Sequence, residues 1–216
     1  MESIRIAEFF KNKSILVTGS TGFLGKIFVE KVLRVQPEVK KLFLLVRAGD
    51  ATSANQRVQT EILEKDLFKV LKDKHGDGFH SFVSSKLVPL AGDIVQEDLG
   101  IHDSDLRRNL WKEVQVVLNV AGTTNFDERY DVALGVNVLG AKHILEFAKR
   151  CVRLEMLLHV STAYVAGEQS GLILEKFLMR RDLKGDSYLD IEAELSLADE
   201  KKRSSAQRTR PRKQRS

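Results

Sequence analysis

Short runs of apolar residues alternate along the chain with longer segments in which apolar residues recur at helical spacing. The runs predict five β-strands, at Ser14–Thr18, Leu42–Val46, Leu87–Ala91, Val114–Val120 and Met156–Ser161. The intervening segments predict helices over Gly22–Val35, Ser53–Lys72, Asp103–Leu110 and Val132–Arg150, after a short amphipathic opener, Ile4–Phe10. This alternation is typical of βαβ units, in which helical crossovers join parallel strands.

We therefore predict an α/β fold with a doubly wound parallel sheet over residues 1–200. The expected strand order is 3-2-1-4-5, with a ligand crevice at the carboxyl ends of the first and fourth strands. Residues 201–216 contain eight Lys or Arg, no acid and no aliphatic side chain larger than that of Ala206. Because this segment has almost nothing apolar to bury, we predict a disordered basic tail there.

The formal net charge of +5 resides in that tail. The preceding residues carry 27 basic against 30 acidic groups, so no nucleic-acid partner is expected for the domain. The sequence shows neither a transmembrane run nor a recognisable signal or transit peptide. We expect a location in the cytoplasm or on the cytosolic face of the endoplasmic reticulum, where the chain could contact the membrane peripherally. With Cys151 as the single cysteine, we predict no disulfide framework and no metal site.

The strongest chemical signal is a glycine-rich stretch directly after the first predicted strand. It reads Val17-Thr18-Gly19-Ser20-Thr21-Gly22-Phe23-Leu24-Gly25, and we predict that residues 19–25 bind a cofactor. Gly19 permits a tight turn, Gly22 lets the backbone approach a pyrophosphate, and Gly25 lets the following helix pack closely on the sheet. The helix N-terminus offers N–H groups and a partial positive charge to phosphates. The spacing G-x-x-G-x-x-G resembles that of short-chain dehydrogenase/reductase proteins. We therefore predict that residues 1–200 form a Rossmann-type NAD(P)-binding domain, truncated relative to those proteins.

Arg47, directly after the second predicted strand, bears on the choice of cofactor. At this point an acidic residue binds the ribose 2′-OH of NADH, whereas a basic residue accommodates a 2′-phosphate. The strand Leu42–Val46 is followed by Arg47 and not by an acid. Because a guanidinium group suits a phosphate dianion, NADPH is the predicted cofactor. The alternative is an ordinary surface arginine at a strand end.

The third and fourth predicted strands end in residues that are expected at the same crevice. Asp93 and Ile94 follow the third strand, where the carboxylate could reach the adenine amino group and the isoleucine could lie against the adenine ring. Ala121 and Gly122 follow the fourth strand, and their small size would let the backbone run beside the nicotinamide-side ribose. Either pair could be a simple turn, but their joint occurrence at successive strand ends favours a cofactor site.

Hydroxyl groups at the end of the fifth predicted strand are candidates for catalysis. One of them could donate a hydrogen bond to a substrate carbonyl as negative charge develops on its oxygen. Adjacent strand residues face opposite ways, so only one of Ser161 and Thr162 can point into the crevice. Thr162 is the first candidate and Ser161 the second. We expect His159 to be a packed strand residue and not a base.

From about Ile4 to Glu194 the chain resembles the N-terminal portion of the plant alcohol-forming fatty acyl-CoA reductases, in the extended short-chain dehydrogenase/reductase superfamily. The resemblance rests on Ile15–Gly19, Lys26–Lys31, Val35–Pro37, Leu44–Ala48, Asn125–Asp127 and Gly171–Lys176. It implies NADPH-dependent reduction of long-chain fatty acyl-CoA, through an aldehyde, to a primary alcohol of waxes, cutin or suberin. By the same resemblance Thr162 lies near the reacting carbonyl, and cofactor contacts are made by Gly19, Gly22, Gly25, Arg47, Asp93 and Gly122.

The chain departs from that superfamily at the proton donor. The superfamily uses a Tyr-x-x-x-Lys pair, in which the lysine lowers the pKa of the tyrosine that donates the proton. Here the residues four places after the three tyrosines are Leu134, Glu168 and Glu192. We therefore expect a truncated, inactive chain. The alternatives are a non-catalytic dinucleotide-binding remnant or regulatory domain, which would associate with itself or a full-length relative, and a sugar-nucleotide epimerase, which fits these stretches less well.

Overall fold

Five parallel strands form the central sheet of the computed structural model, which describes residues 6–166, 170–174 and 190–208. The strands are β1 (Ser14–Thr18), β2 (Lys41–Val46), β3 (Leu87–Ala91), β4 (Val116–Asn119) and β5 (Met156–His159). Their order is β3-β2-β1-β4-β5, and every neighbouring pair is parallel. The predicted doubly wound α/β fold is therefore confirmed, although β4 and β5 are shorter than predicted.

Nine α-helices surround or follow this sheet in the described part of the chain. In chain order they are α1 (Ile6–Phe9), α2 (Phe23–Val35), α3 (Ala51–Val58), α4 (Lys69–His75), α5 (Phe79–Lys86), α6 (Ser104–Glu113), α7 (Tyr130–Ala133), α8 (Gly140–Arg150) and α9 (Ile191–Arg208). The chain divides into two compact units. The first comprises residues up to 126 together with 135–160, and the second comprises 127–134 together with the residues from 161 onward.

Strand β1 lies at the centre of the first unit, and all five of its residues are buried. Its side chains alternate between the two faces of the sheet, so that Ile15 and Val17 join one hydrophobic cluster and Leu16 joins the other. Helix α2 contributes to the first cluster and helices α6 and α8 to the second, through Val29, Leu33, Leu110, Ile144 and Phe147. Because β1 is covered on both faces, its sequence is apolar throughout its middle and does not alternate.

The single helix predicted over Ser53–Lys72 is wrong. The chain there forms α3, a π-helical segment Gln59–Leu63, a 3-10 turn Asp66–Phe68 and α4, and the unpredicted helix α5 follows. A straight helix would scatter the apolar side chains of this stretch around its whole circumference. Breaking the helix lets each short piece turn its own apolar residues into one core, namely Ala54, Val58, Ile62, Leu63, Phe68 and Leu71.

A second predicted helix, over Val132–Arg150, is also interrupted. Helix α7 ends at Ala133, and a π-helical segment, Leu134–Leu139, leads into α8. The wider turn of a π-helix shifts the face that the following residues present. Gly140 at the start of α8 lies so close to Ile94 that a Cβ there would be 2.7 Å from Ile94 Cδ1.

Helix α9 continues to Arg208, so its last turns lie in the segment from Lys201 for which a disordered basic tail is predicted; the disorder of that tail stays a prediction. The Asp190 side chain accepts a hydrogen bond from the backbone N–H of Glu192 at 3.0 Å and so caps the helix. Acidic residues lie in the first turn and basic residues follow, which matches the helix dipole, and no Gly or Pro interrupts the sequence before Pro211. Residues 209–216 lie outside the described residues.

No helix within the described ranges has both the length and the apolar character required to cross a membrane.

The position of each strand in the sheet predicts its rate of backbone hydrogen exchange. Strand β1 is buried and paired on both sides, whereas β5 pairs with β4 alone among the described strands and is largely exposed. We expect amides of β1 to exchange on the order of 100-fold more slowly than those of β5, measured by mass spectrometry or NMR. Equal or faster exchange in β1 would contradict the arrangement of the sheet.

Candidate cofactor site at the carboxyl ends of the strands

The turn between β1 and α2 depends on two glycines that approach other backbone atoms closely. Gly19 adopts a φ of 64°, and a Cβ there would lie 2.7 Å from the backbone nitrogen of Ala121. A Cβ on Gly25 would lie 2.3 Å from the carbonyl oxygen of Gly19 and 2.7 Å from Ser20 Cα. Gly25 therefore lets the start of α2 lie directly against the turn that ends β1, while later residues of α2 pack on the sheet.

Gly22 leaves the N-terminus of α2 open to a ligand. It is the exposed N-cap residue, no side chain caps the helix, and a Cβ there would meet only the Gly19 carbonyl oxygen, at 3.1 Å. The Ser20 hydroxyl is buried and has no hydrogen-bond partner among the described residues. Free N–H groups of a first helical turn and an unpaired hydroxyl are donors that a pyrophosphate can use. The residues present fit the phosphates of a dinucleotide.

The other members of this turn differ in exposure. Thr21 is half-buried, whereas Phe23 and Leu24 are exposed large apolar side chains at the start of α2. Their part in cofactor binding stays a prediction.

Side chains at the carboxyl ends of three neighbouring strands form a hydrogen-bonded row. The Thr18 hydroxyl of β1 lies 2.5 Å from Asn119 Oδ1 of β4 and accepts a bond from the backbone N–H of Ala121 at 3.3 Å. Asn119 Nδ2 lies 2.9 Å from His159 Nδ1 of β5. Because Asn119 Oδ1 accepts from Thr18, its Nδ2 donates to His159, whose proton then resides on Nε2. The row ties the loop after β4 to β1.

His159 was expected to be a packed strand residue, and that expectation is wrong. His159 is exposed, because β5 is at the edge of the described sheet and few of the described residues cover it. Its position is set by the bond to Asn119 and not by packing.

The loop after β4 is held by Asn137, which the sequence analysis missed. Asn137 lies in the π-helical segment, accepts a bond from the Thr123 N–H at 2.9 Å and donates one to the Thr123 carbonyl at 3.2 Å. A Cβ on Gly122 would lie 3.3 Å from Asn137 Oδ1, while Ala121 is half-buried. Asparagine is a poor helix former, so its presence in an apolar helical stretch was the available signal.

The loop after β3 is anchored through its backbone. The Asp93 N–H donates to the Leu99 carbonyl at 2.8 Å, and the Asp93 carboxylate accepts from the Val95 N–H at 3.1 Å. His143 Nδ1 lies 2.8 Å from the Ile94 carbonyl oxygen. The Ile94 side chain is buried against Gly140, so it fixes the loop to α8. Contact of Asp93 and Ile94 with adenine stays a prediction.

Arg47 lies directly after β2 and is exposed. Among the described residues no carboxylate pairs with its side chain. Its backbone carbonyl accepts a hydrogen bond from Arg57 at 2.6 Å. The guanidinium is therefore available to an anion at the carboxyl end of β2, as the sequence analysis predicted for the 2′-phosphate.

Ser161 and Thr162 lie beyond the end of β5, which ends at His159. Strand alternation therefore does not decide which of them faces the crevice. Both residues are exposed members of the second unit, and Thr162 Oγ1 accepts a bond from the Tyr164 N–H at 3.2 Å, at the start of a 3-10 turn. Their catalytic role stays a prediction.

Tyr130, also in the second unit, is engaged by a carboxylate. Its hydroxyl donates to Glu194 Oε2 at 2.6 Å, and this bond raises the pKa of Tyr130 above its ordinary value. A raised pKa makes Tyr130 a weaker proton donor. Tyr164 is exposed, and Tyr188 lies outside the described residues.

Thiol and metal chemistry find no basis in the part of the chain that is described. Burial raises the pKa of the Cys151 thiol to about 12, so the thiol is uncharged at neutral pH. No group of three or more His, Cys, Asp or Glu among residues 6–166, 170–174 and 190–208 could hold a metal ion.

Comparison with known proteins shows which family the chain belongs to. A family profile for an NAD-binding domain, described as "Male sterility protein", matches residues 17–213. Fatty acyl-CoA reductase 1 of Arabidopsis thaliana is 52% identical over 93% of this chain, and the alcohol-forming fatty acyl-CoA reductase of Simmondsia chinensis is 55% identical over 91%. The chain belongs to the fatty acyl-CoA reductase family. It spans 41% and 40% of the length of these two relatives.

Solved structures agree with this fold. The terminal R domain from the myxalamid PKS-NRPS biosynthetic pathway has a TM-score of 0.63 and 25% identity, covering 92% of this reductase-family chain and 47% of that domain. The R domain of a nonribosomal peptide synthetase from Mycobacterium tuberculosis has a TM-score of 0.58 and 28% identity, covering 72% and 34%. UDP-glucuronic acid 4-epimerase from Bacillus cereus has a TM-score of 0.50 and 20% identity, covering 91% of this chain and 53% of that enzyme. This similarity concerns the fold alone.

Gly25 and Gly22 should respond differently when alanine adds a methyl group. Gly25→Ala places its Cβ 2.3 Å from a carbonyl oxygen, so we expect the free energy of unfolding to fall by about 1–3 kcal/mol. Gly22→Ala has an ordinary φ of −78°, and its Cβ would meet only the Gly19 carbonyl oxygen, at 3.1 Å. Because a shift of a few tenths of an ångström relieves that contact, the loss should be smaller, about 1 kcal/mol or less. Its methyl group would instead stand where the pyrophosphate approaches, weakening NADPH binding at least about tenfold.

Denaturant unfolding and cofactor titration of both variants check this contrast. A stable Gly25→Ala protein would show that the turn can accommodate a Cβ at Gly25. A Gly22→Ala protein with unchanged NADPH affinity would show that the pyrophosphate does not approach Gly22.

Proposed function

We propose that this fatty acyl-CoA reductase chain binds NADPH across the carboxyl ends of its strands. The observation that carries the proposal is the turn at β1, where the uncapped helix N-terminus at Gly22 meets the buried, unpaired hydroxyl of Ser20. Arg47 supports NADPH over NADH, because its exposed guanidinium has no carboxylate partner among the described residues. The cofactor supplies a hydride when bound.

The residues of the chain then bind and orient this cofactor. The N–H groups at the start of α2 donate to the pyrophosphate, and Arg47 binds the 2′-phosphate. Asn137 holds the backbone of Thr123, so that the loop after β4 offers a fixed path beside the nicotinamide-side ribose. Asp93 retains a carboxylate oxygen that is not used by Val95 and can accept from the adenine amino group.

We further propose that the whole enzyme, of which this chain spans about two fifths, reduces long-chain fatty acyl-CoA to a primary alcohol. Two relatives with more than half of their aligned residues identical are named fatty acyl-CoA reductases, and the one from Simmondsia chinensis is named alcohol-forming. Thr162 remains the candidate for holding the substrate carbonyl. The 216 residues contain no Tyr-x-x-x-Lys pair, so this chain by itself should bind cofactor without turning substrate over.

Replacing Arg47 by Asp should weaken NADPH binding far more than NADH binding. The lost charge-assisted contact is worth about 1.5–3 kcal/mol, or roughly 10- to 100-fold in affinity. Fluorescence titration with both cofactors measures the effect. Arg153→Asp, which makes the same charge change at an exposed residue between α8 and β5, serves as the matched control. Equal weakening of both cofactors by Arg47→Asp would show that Arg47 does not read the phosphate.

We expect no detectable alcohol from the purified chain supplied with NADPH and a long-chain acyl-CoA. Positioned proton donation contributes about 10²- to 10⁴-fold to rate, and the tyrosine that is held by a carboxylate, Tyr130, is a poor donor. The alcohol-forming reductase of Simmondsia chinensis, assayed alongside, is the positive control. Acyl-dependent alcohol formation that disappears on Thr162→Ala would contradict the expectation and would make Tyr164 the nearest candidate for the donor.

A further inference from the structure

Arg57 of α3 reaches back to the end of β2 and makes a hydrogen bond to the backbone there. Its Nη1 donates to the backbone carbonyl of Arg47 at 2.6 Å. Its Nε and Nη2 donate to the two carboxylate oxygens of Glu61, at 2.6 and 2.9 Å. Three of the five guanidinium N–H donors are thus used, and the planar group is held from two sides.

The partner on the second side, Glu61, lies in the π-helical segment that follows α3. Its hydrogen bond to Arg57 lowers the pKa of the Glu61 carboxyl, and the charges of Lys26 and Lys65 lower it further. Glu61 is therefore ionised at neutral pH, and the fork has a fixed geometry. Glu61 orients Arg57, and Arg57 in turn holds the carbonyl of Arg47.

The Arg47 carbonyl lies in the short stretch of backbone between the end of β2 and the start of α3. Arg47 follows the last residue of β2, so its backbone lies beyond the strand pairing that fixes Val46 opposite Ala91. On the other side, the chain is next fixed where the Asp50 side chain accepts from the Ser53 N–H at 2.7 Å and caps α3. Arg57 supplies a side-chain hydrogen bond to the backbone between these two points.

We infer that Arg57 is a positioning residue for the 2′-phosphate of the cofactor, acting through the backbone of Arg47. This inference rests on the proposed function, in which Arg47 binds that phosphate. A long side chain loses conformational freedom when it binds a ligand, and fixing the backbone from which it starts reduces that loss. Arg57 therefore contributes to the preference for NADPH without touching the phosphate.

Helix α2 offers a matched control, because Arg34 makes the same type of fork. Its Nε and Nη2 lie 2.7 and 3.4 Å from the carboxylate oxygens of Glu30, again four residues away. Its side chain has no contact with the backbone after β2 among the described hydrogen bonds. Loss of the Arg34 fork removes an ion pair of a helix without removing the link to Arg47.

The test compares Arg57→Met with Arg34→Met in the full chain, by titration with NADPH and NADH and by thermal unfolding. We expect Arg57→Met to weaken NADPH binding about tenfold and NADH binding less than about twofold. Arg34→Met should change neither affinity by more than about twofold, even if it lowers the melting temperature as much. Arg57→Lys, which can restore one bond to the carbonyl but not the fork, should fall between wild type and Arg57→Met.

A double variant separates positioning from charge, because Arg57→Met also removes the positively charged partner of the Glu61 carboxylate. In Arg57→Met/Glu61→Gln that negative charge is absent, and we expect NADPH binding to remain weak. Recovery of wild-type affinity would overturn the inference, since Arg57 would then act only by neutralising Glu61. Equal weakening of NADPH and NADH by Arg57→Met would overturn it as well.

The same titrations distinguish failure of this inference from failure of the proposed function. A wild-type chain without preference for NADPH would refute the proposed function and this inference with it. A preference that Arg47→Asp abolishes and Arg57→Met leaves intact would refute the role of Arg57 alone.

Discussion

The closeness of three backbone segments at the end of β1 is the constraint on which the site depends. The turn at Gly19 passes so near to Ala121, and the start of α2 so near to Gly19, that any side chain on Gly19 or Gly25 would overlap main-chain atoms. This closeness puts the N-terminus of α2 at the point where β1 and β4 separate. The fold therefore delivers free N–H groups to the crevice only because two residues there have no Cβ.

The loops after β2, β3 and β4 are under a second constraint, because their backbone N–H and C=O groups no longer pair with a neighbouring strand and need other partners. Each loop is held by a side chain from a helix or helical segment that follows it in sequence. Arg57 bonds to the Arg47 carbonyl, His143 to the Ile94 carbonyl, and Asn137 to both backbone groups of Thr123. Loops held in this way keep their polar groups satisfied and present a rigid edge to a ligand.

Membership of the fatty acyl-CoA reductase family accords with a division of labour along the chain. The described first unit holds the sheet and the candidate cofactor site, in which backbone donors, one arginine and small residues predominate. Those groups are suited to binding and orienting phosphates and riboses. The groups expected to handle the acyl carbonyl, Ser161 and Thr162, belong to the second unit, and the chain spans about two fifths of its relatives.

The sequence by itself determined the strand order, the glycine turn and the position of Arg47, because each depends on residues near one another in the chain. Apolar runs define strands, handed crossovers limit their order, and glycine spacing encodes a local turn. The N-terminal cap of α9 and its acidic first turn are also encoded locally, at Asp190, Glu192 and Glu194. The scattered apolar positions of residues 54–71 likewise contained the reason for the broken helix.

Only the tertiary structure decided which side chains hold the loops and which strand residues are covered. Asn137 and Thr123 are fourteen residues apart, Thr18 and Asn119 about a hundred, and nothing in local spacing pairs them. The exposure of His159 likewise depends on what packs against β5, which is a property of the assembled sheet. A hydrogen bond between distant residues forms because the fold brings them together, so its partners are fixed after the fold and not before it.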